Sequence, residues 1–411
     1  MSNQFSRCFR TISIIGVVSG LCLPLIGQSP ELPRPKIRVP QLVLQVGPTG
    51  FTTATAASPN GRTVAFGGID RTIRLWDARS GQLKRVLPEI QNAPLMLAFS
   101  ADNKKLLSAD VPERLMLNGL VNRDRLYFRV WDVSTGQQIS TSRGQRDVVT
   151  AVVSPDWKIV AQAQAGRRTP TGWLPGAVTL SERGSGKVLR NLSGAGEKVP
   201  NLVFSPDDFT LAGVGWEGSR VQAVGEPWRN PILLWNVRTG RLTKTLTSQD
   251  NIKAAAFSPD GKTLVSVGFS EAKSGDHRAT YRLQIWDVKR GKLLKTVANV
   301  PKATTSLSFA SDGQTLLSRN PERITFWNTQ TWKPRRSIQQ VGMIFEGAAF
   351  TSPNQITALS RLEFRSNGRI DELRQVKMWD VSAGKERGIS PNGHVLSQRL
   401  LSSNQDADGT T

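Results

Sequence analysis

The sequence predicts an all-β chain made of seven copies of one four-stranded antiparallel unit, and three observations predict it. A phrase ending in tryptophan and an acid or amide recurs: "RTIRLWDARSG", "YFRVWDVSTG", "PILLWNVRTG", "YRLQIWDVKRG", "ERITFWNTQTW" and "RQVKMWDVSAG", with "AVTLSERGSG" as a weaker copy. With Ser181 standing in for tryptophan there, the marks fall at 76, 131, 181, 235, 286, 327 and 379, which is 41 to 55 residues apart. A second phrase ("AASPNG", "AFSADN", "VVSPDW", "VFSPDD", "AFSPDG", "SFASDG", "AFTSPN") lies between them. Self-similarity at such a period signals a repeat architecture, and helical periodicity is absent from the repeats.

Local chemistry justifies each element in turn. Strand a ends in the Phe-Ser of the second phrase. The Pro-Asp-Gly that follows supplies a fixed φ, an Asx turn and a positive φ, so strand a turns back into strand b. Strand c carries the tryptophan, and the Thr-Gly or Ser-Gly after it makes the next hairpin, into strand d. In one repeat "VFSPDD" closes a, "TLAGVG" is b, "ILLWN" is c and "LTKTL" is d. From each mark to the next repeat's Ser position is 23 or 24 residues, whereas from that position to the following mark is 17 to 31. The length variation is therefore confined to the b–c connection, which reads as a loop.

These phrases resemble the WD-repeat family of β-propellers over about residues 41–390. The resemblance implies a seven-bladed β-propeller of four-stranded antiparallel blades, with each tryptophan ending strand c and wedged between neighbouring blades. Such a ring leaves only short, protected sheet edges. The sequence also departs from the family. The Gly-His before strand a is missing in every repeat, so the family's Asp-His-Ser-Trp hydrogen-bond set cannot be completed. Only Asp70 occupies the family's b–c aspartate position, blade three lacks its tryptophan, and Trp332 replaces the c–d turn glycine of blade six. Lower local stability is expected at blade three.

The chain divides into residues 1–27, 28–40, 41–397 and 398–411. Arg7 and Arg10 precede "TISIIGVVSGLCLPLIG", and no charge follows until Glu31, the pattern of a secretory signal peptide. An uncleaved membrane anchor is the alternative. "PELPRPKIRVP" reads as a stiff proline-rich linker, the propeller follows, and the tail from Gln398 is polar and expected to be disordered. "QLVLQV", 41–46, alternates well and is expected to supply strand d of blade seven, because "GKERGISPN" after the last mark makes a poor strand. These readings place the protein in the periplasm or outside the cell.

Chemistry-bearing residues are sparse. Cys8 and Cys22 lie inside the export signal, so the mature protein has no disulfide or thiolate metal site. His277 and His394 are the only histidines and read as solvated loop residues. "GVGWEG", 213–218, fits G-x-G-x-x-G but leaves a strand for a loop, with no helix to hold a pyrophosphate. Asp371 and Glu372 have no partner that the sequence places. No catalytic residue, metal or cofactor is assigned.

Binding residues are expected in the insertions. The b–c segments of blades two, three, four, five and seven are long ("DVPERLMLNGLVNRDR", "QAGRRTPTGWLPG", "GWEGSRVQAVGEPWRN", "FSEAKSGDHRAT", "RLEFRSNGRIDEL") and crowd around one mouth of the channel. Trp173, Trp216, Trp228, Phe269 and Phe364 are candidate anchors for a partner, aided by Arg167, Arg168 and Arg220. Packing of the long loops onto themselves is the plainer account of the aromatics.

Charge lies elsewhere. The net charge is +22, yet four of the five insertions sum to zero and that of blade three to +2. The c–d turns and strands d together carry +18, with Glu386 their only acid. Lys84, Arg85, Lys187, Arg190, Arg241, Lys244, Lys292, Lys295, Arg335 and Arg336 belong to this belt. Basic residues on edge strands discourage edge-to-edge aggregation; a belt that binds would take anionic envelope polymers or lipid headgroups rather than nucleic acid. The function expected is a monomeric, non-catalytic exported scaffold for a protein or glycan partner. A propeller-type envelope hydrolase or lyase, and a cytoplasmic assembly platform, are the alternatives.

Overall fold

A computed structural model describes residues 52–399, apart from 89, 91, 112–124, 165, 170–171, 175, 195–197, 217–230, 271–278, 340–341, 367–368, 384 and 388–395. These residues belong to one compact unit, Leu42–Thr411. They form strands and no helix. Seven antiparallel sheets run in the spatial order a-b-c-d, as the turn chemistry requires. The inner strands are Thr52–Ala57, Ala93–Phe99, Val148–Val153, Lys198–Phe204, Asn251–Phe257, Ser306–Phe309 and Met343–Ser352. Each packs against the next, and the first meets the last. That contact closes a seven-bladed ring.

The turns work as their residue types dictate. In blades one to five the Ser of the second phrase accepts a hydrogen bond from the first N–H of strand b, at 2.9–3.0 Å. Its hydroxyl donates to the Asp or Asn two residues on. The fourth turn residue is left-handed whatever its type: Gly61, Asn103, Trp157, Asp208, Gly261 and Gly313 have φ between 63° and 70°. The acid or amide after each tryptophan caps the c–d turn. Asp132 Oδ1 accepts from the N–H groups of Ser134 (2.9 Å) and Thr135 (2.7 Å), and Asp77 does the same with Arg79 and Ser80. Trp332, at φ 59°, takes the place held in other blades by glycines at φ 67–76°.

The core lies between sheets. Each tryptophan mark packs with the b–c face of the preceding blade: Trp131 with Ile73 and Leu75, Trp235 with Val178 and Leu180, Trp286 with Ile232 and Leu234. Trp327, Trp379 and Trp76 do likewise at the three remaining tryptophan-bearing boundaries. All six are at most 4% exposed, which confirms the wedge that the resemblance implies.

Blade three shows how its loss is met. Trp131, Trp286 and Trp327 each donate from Nε1 to a serine on strand b (Ser108, Ser266, Ser318) at 2.9–3.0 Å. In blade three Ser181 holds the tryptophan's place and Gln162 the serine's, and Gln162 Nε2 donates to Ser181 Oγ at 3.2 Å. The bond survives with the long and short partners exchanged. Trp157, from the a–b turn, packs against the cluster between blades two and three, restoring an indole to that boundary.

Blade seven corrects the expectation for its outer edge. The segment after the last mark does form strand: Lys385–Arg387 pairs with Met378–Asp380, and Leu396–Arg399 pairs with Asp371–Arg374. Exposed backbone groups on strand c need partners, and Lys377 Nζ to Glu386 Oε2 (3.1 Å) ties the first pairing. Residues 41–46, expected at that edge, lie outside the described residues. The export signal and linker lie there too, as do 400–411 of the expected tail, whereas Gln398 and Arg399 are in strand.

Candidate partner-binding site

Strands b and c lengthen at the end of the ring where they join. In blade seven Gln355–Ser366 and Arg369–Asp380 pair without a break to Ser366 and Arg369, placing Phe364 opposite Asp371. In blade three the connection folds into its own two-stranded sheet, with Arg167 opposite Leu174 and Arg168 opposite Trp173. The hairpin thus brings together three of the predicted residues at backbone level. Trp216 is the last residue of strand b in blade four. Trp228 and Arg220 lie outside the described residues, as do His277 and His394.

Phe269 is held more closely than a free anchor. Its ring centroid lies 5.2 Å from that of Tyr281, and Lys253 Nζ sits 5.1 Å from its centre on the other strand. Partial burial of Lys253 holds its ammonium below the ordinary lysine range. This is the self-packing of a long hairpin, read from strands a, b and c of one blade. Gly213, first glycine of the G-x-G-x-x-G match, also has a structural job: a Cβ there would lie 2.7 Å from the Trp235 ring.

Buried ion pairs stand near the same end. Arg74 Nη1 donates to Asp70 Oδ2 at 2.8 Å, both side chains 7% exposed. Arg129 bonds Asp110, which also accepts from Ser108 Oγ at 3.3 Å. Burial pushes the Asp110 carboxyl up to about 6, with Arg129 and Ser108 opposing. Arg282 pairs with the fully buried Asp250, and Arg361 Nε lies 3.3 Å from Glu346 Oε1. The sequence reading missed the arginines, although Arg74 and Arg129 both stand two residues before a mark.

The belt residues all lie on strand d or just before it, exposed or half-exposed. Five of them share one register, nine residues after the mark: Arg85, Arg190, Lys244, Lys295 and Arg336. Each reaches the c–d turn of the next blade. Arg85 donates to the carbonyls of Thr135 (2.8 Å) and Ser134 (2.6 Å), Lys295 to Thr331 (3.2 Å), and Arg336 to Ala383. Arg190 and Lys244 run beside Gly240 and Gly291, where a Cβ would sit 3.4 and 2.8 Å from their side chains. Arg85, Lys295 and Arg336 are therefore blade-to-blade latches, while Arg190 and Lys244 lie alongside the next turn without bonding it among the described residues. Lys84, Lys187, Arg241, Lys292 and Arg335 fall outside that register.

The WD domain, G-beta repeat family model matches residues 41–77 and 240–277. Curated relatives carry the same repeat over more of the chain. Periodic tryptophan protein 2 of Arabidopsis thaliana is 24% identical over 65% of this chain. Nuclear distribution protein PAC1 of Coccidioides posadasii is 30% identical over 61% of this chain and 60% of its own length. An uncharacterized WD repeat-containing protein of Synechocystis is 28% identical over 43% and 42%. Together with the seven blades and their wedged tryptophans, these matches support a WD-repeat β-propeller family.

The chain is a WD-repeat β-propeller. It spans 27% and 36% of the lengths of periodic tryptophan protein 2 and of autophagy-related protein 16 from Arabidopsis thaliana. Among solved structures, Kuenenia stuttgartiensis hydrazine synthase superposes with a TM-score of 0.59 at 14% identity, covering 78% of this chain and 95% of that one. At that identity the likeness shows the fold alone. The first family match begins at Gln41, the start of "QLVLQV".

Proposed function

We propose that this WD-repeat propeller is a non-catalytic scaffold, exported to the cell envelope, that holds a protein or glycan partner on the end of the ring bearing the long b–c segments. WD-repeat relatives imply a protein-interaction scaffold; export, the choice of face and the partner's class are our reading. The observation that carries it is the extended b–c hairpin. Strands of 12 residues in blade seven and a separate hairpin in blade three build rigid projections beyond what ring closure needs, and projecting segments of a repeat ring are where partners bind. The anchors are assigned as Trp173, Trp216, Trp228 and Phe364, with Arg167, Arg168 and Arg220 as the accompanying cations. Phe269 contributes through the surface it shares with Tyr281 and Lys253.

Two experiments test this. Purified chain with Trp173, Trp216 and Trp228 changed to Ala is expected to lose capture of its partner from cell-envelope extract while keeping the melting temperature of the parent. N-terminal sequencing of the protein from fractionated cells is expected to place it in the envelope and to start near residue 28. A cytoplasmic protein retaining residues 1–27 would remove the export reading and leave an assembly platform.

A further inference from the structure

The rim of the ring combines charge with exposed apolar side chains. Among the described residues eight large hydrophobics are exposed, and six of them lie on strands d: Val86, Ile139, Val188, Leu242, Leu293 and Leu294. Solubility does not account for these. Lysine and arginine on an outer strand guard against edge pairing, but leucine and valine beside them work against that guard.

The two properties meet most densely at one place. Phe209 is 61% exposed on the a–b turn of blade four, and its carbonyl accepts a hydrogen bond from Val237 N, so it sits at the c–d corner of its blade. Arg238 and Arg241 follow at that corner, while Leu242 turns back toward Gly194 of blade three. Lys244, running beside Gly291, joins it to the corner of blade five, where Lys289, Lys292, Leu293 (46% exposed) and Leu294 (59%) stand outward. Acids lie at the same corners and hold local turns: Asp207 accepts from Ser205, Asp208 from Asp156 N, Asp260 from Ser258 and Lys262 N, and Asp287 from Arg290, while Arg238, Arg241, Lys244, Lys289, Arg290 and Lys292 outnumber them.

We propose that this corner of blades four and five docks on an anionic lipid surface, with Phe209, Leu293 and Leu294 entering the headgroup layer and the surrounding cations facing lipid phosphates. Apolar side chains flanked by Lys and Arg are what interfacial attachment requires: partial burial of the apolar groups plus attraction to anionic lipid. A soluble anionic polymer would use the cations and leave the leucines idle. A flat bilayer meets a ring edge-on along one arc, which is why a compact patch rather than the whole belt carries the contact. The inference is independent of the partner reading, because it uses the opposite corner of the blades.

Flotation with vesicles of phosphatidylglycerol and phosphatidylcholine tests it. The parent chain, purified without residues 1–40, is expected to float with vesicles containing phosphatidylglycerol and not with phosphatidylcholine alone, and to release as salt rises. Leu293→Ser with Leu294→Ser is expected to lower partitioning on the order of tenfold, at an unchanged melting temperature, and Phe209→Ser by a smaller factor. Ile139→Ser, on strand d of blade two and outside this corner, is the control and is expected to change it little. Failure to float at low salt would overturn the proposal. Full binding by the leucine variant would overturn it too, since it assigns the attraction to charge alone, as for a polyanion.

Discussion

At the scale of single residues, the same backbone position asks different things of different side chains. The fourth residue of the a–b turn is left-handed in six blades, and glycine is the residue that takes that conformation without cost. Asp208 occupies it at φ 64°, and burial together with the neighbouring Asp156 and Asp207 carboxylates pushes its own carboxyl up. Asp208→Gly is therefore expected to stabilise the protein by about 1 kcal/mol, measured as a higher urea midpoint. Trp157 has the same φ but fills the boundary that Ser181 leaves open, so Trp157→Gly is expected to cost about 2 kcal/mol despite the relieved backbone. Opposite signs at equivalent positions would separate packing from backbone strain. Titration adds a second test. Burial raises the Asp110 carboxyl to about 6, above the ordinary aspartate range, so the folded chain holds a proton there that the unfolded chain releases. Its contribution is fullest below about pH 4 and is lost as pH rises to about 6. Asp77 runs the other way: burial opposes, but the Ser80 and Arg79 N–H groups and Lys84 bring it down to about 2. Its contribution is present above about pH 4 and lost as pH falls through 2. Asp110→Asn is expected to remove the decline between pH 4 and 6 and to leave the acid limb in place.

At the scale of the blade, strands and turns were legible because their signals are local. Serine, proline, aspartate and glycine at fixed offsets specify the a–b hairpin, and the residue after tryptophan specifies the c–d turn; both form as specified. What was not legible depends on residues far apart in sequence. The outer edge of blade seven is set by pairing with strand c, and β-propensity within "GKERGISPN" does not see the open backbone of Asp371–Asp380. The contacts of Phe269 with Tyr281 and Lys253 likewise join residues that stand far apart in the chain. The latches were visible as a nine-residue spacing, but their acceptors lie one blade on. They give the belt a test of its own. Arg336→Ala and Arg85→Ala are each expected to cost about 0.5–1 kcal/mol, the scale of an exposed hydrogen bond to a carbonyl. Arg335→Ala, off that register, is expected to stay within about 0.5 kcal/mol. Equal effects across the three would mean that register does not matter.

At the scale of the whole molecule, the ring divides its labour by end. Turns of constant length, capped by aspartates and latched by strand-d cations, hold the a–b and c–d end. The variable b–c connections, built as hairpins in blades three and seven, occupy the other. A ring whose seven inner strands each touch the next tolerates the loss of one tryptophan, the absent Gly-His and a left-handed indole at position 332, because packing between sheets outweighs any single polar set. That freedom lets one end diversify while the other stays regular, and it is why we look for the partner there. Capture from envelope extract, comparing the parent with the variant carrying Ala at 173, 216 and 228, tests this most directly. The account predicts that the variant melts with the parent and captures nothing; full capture by the variant would contradict it.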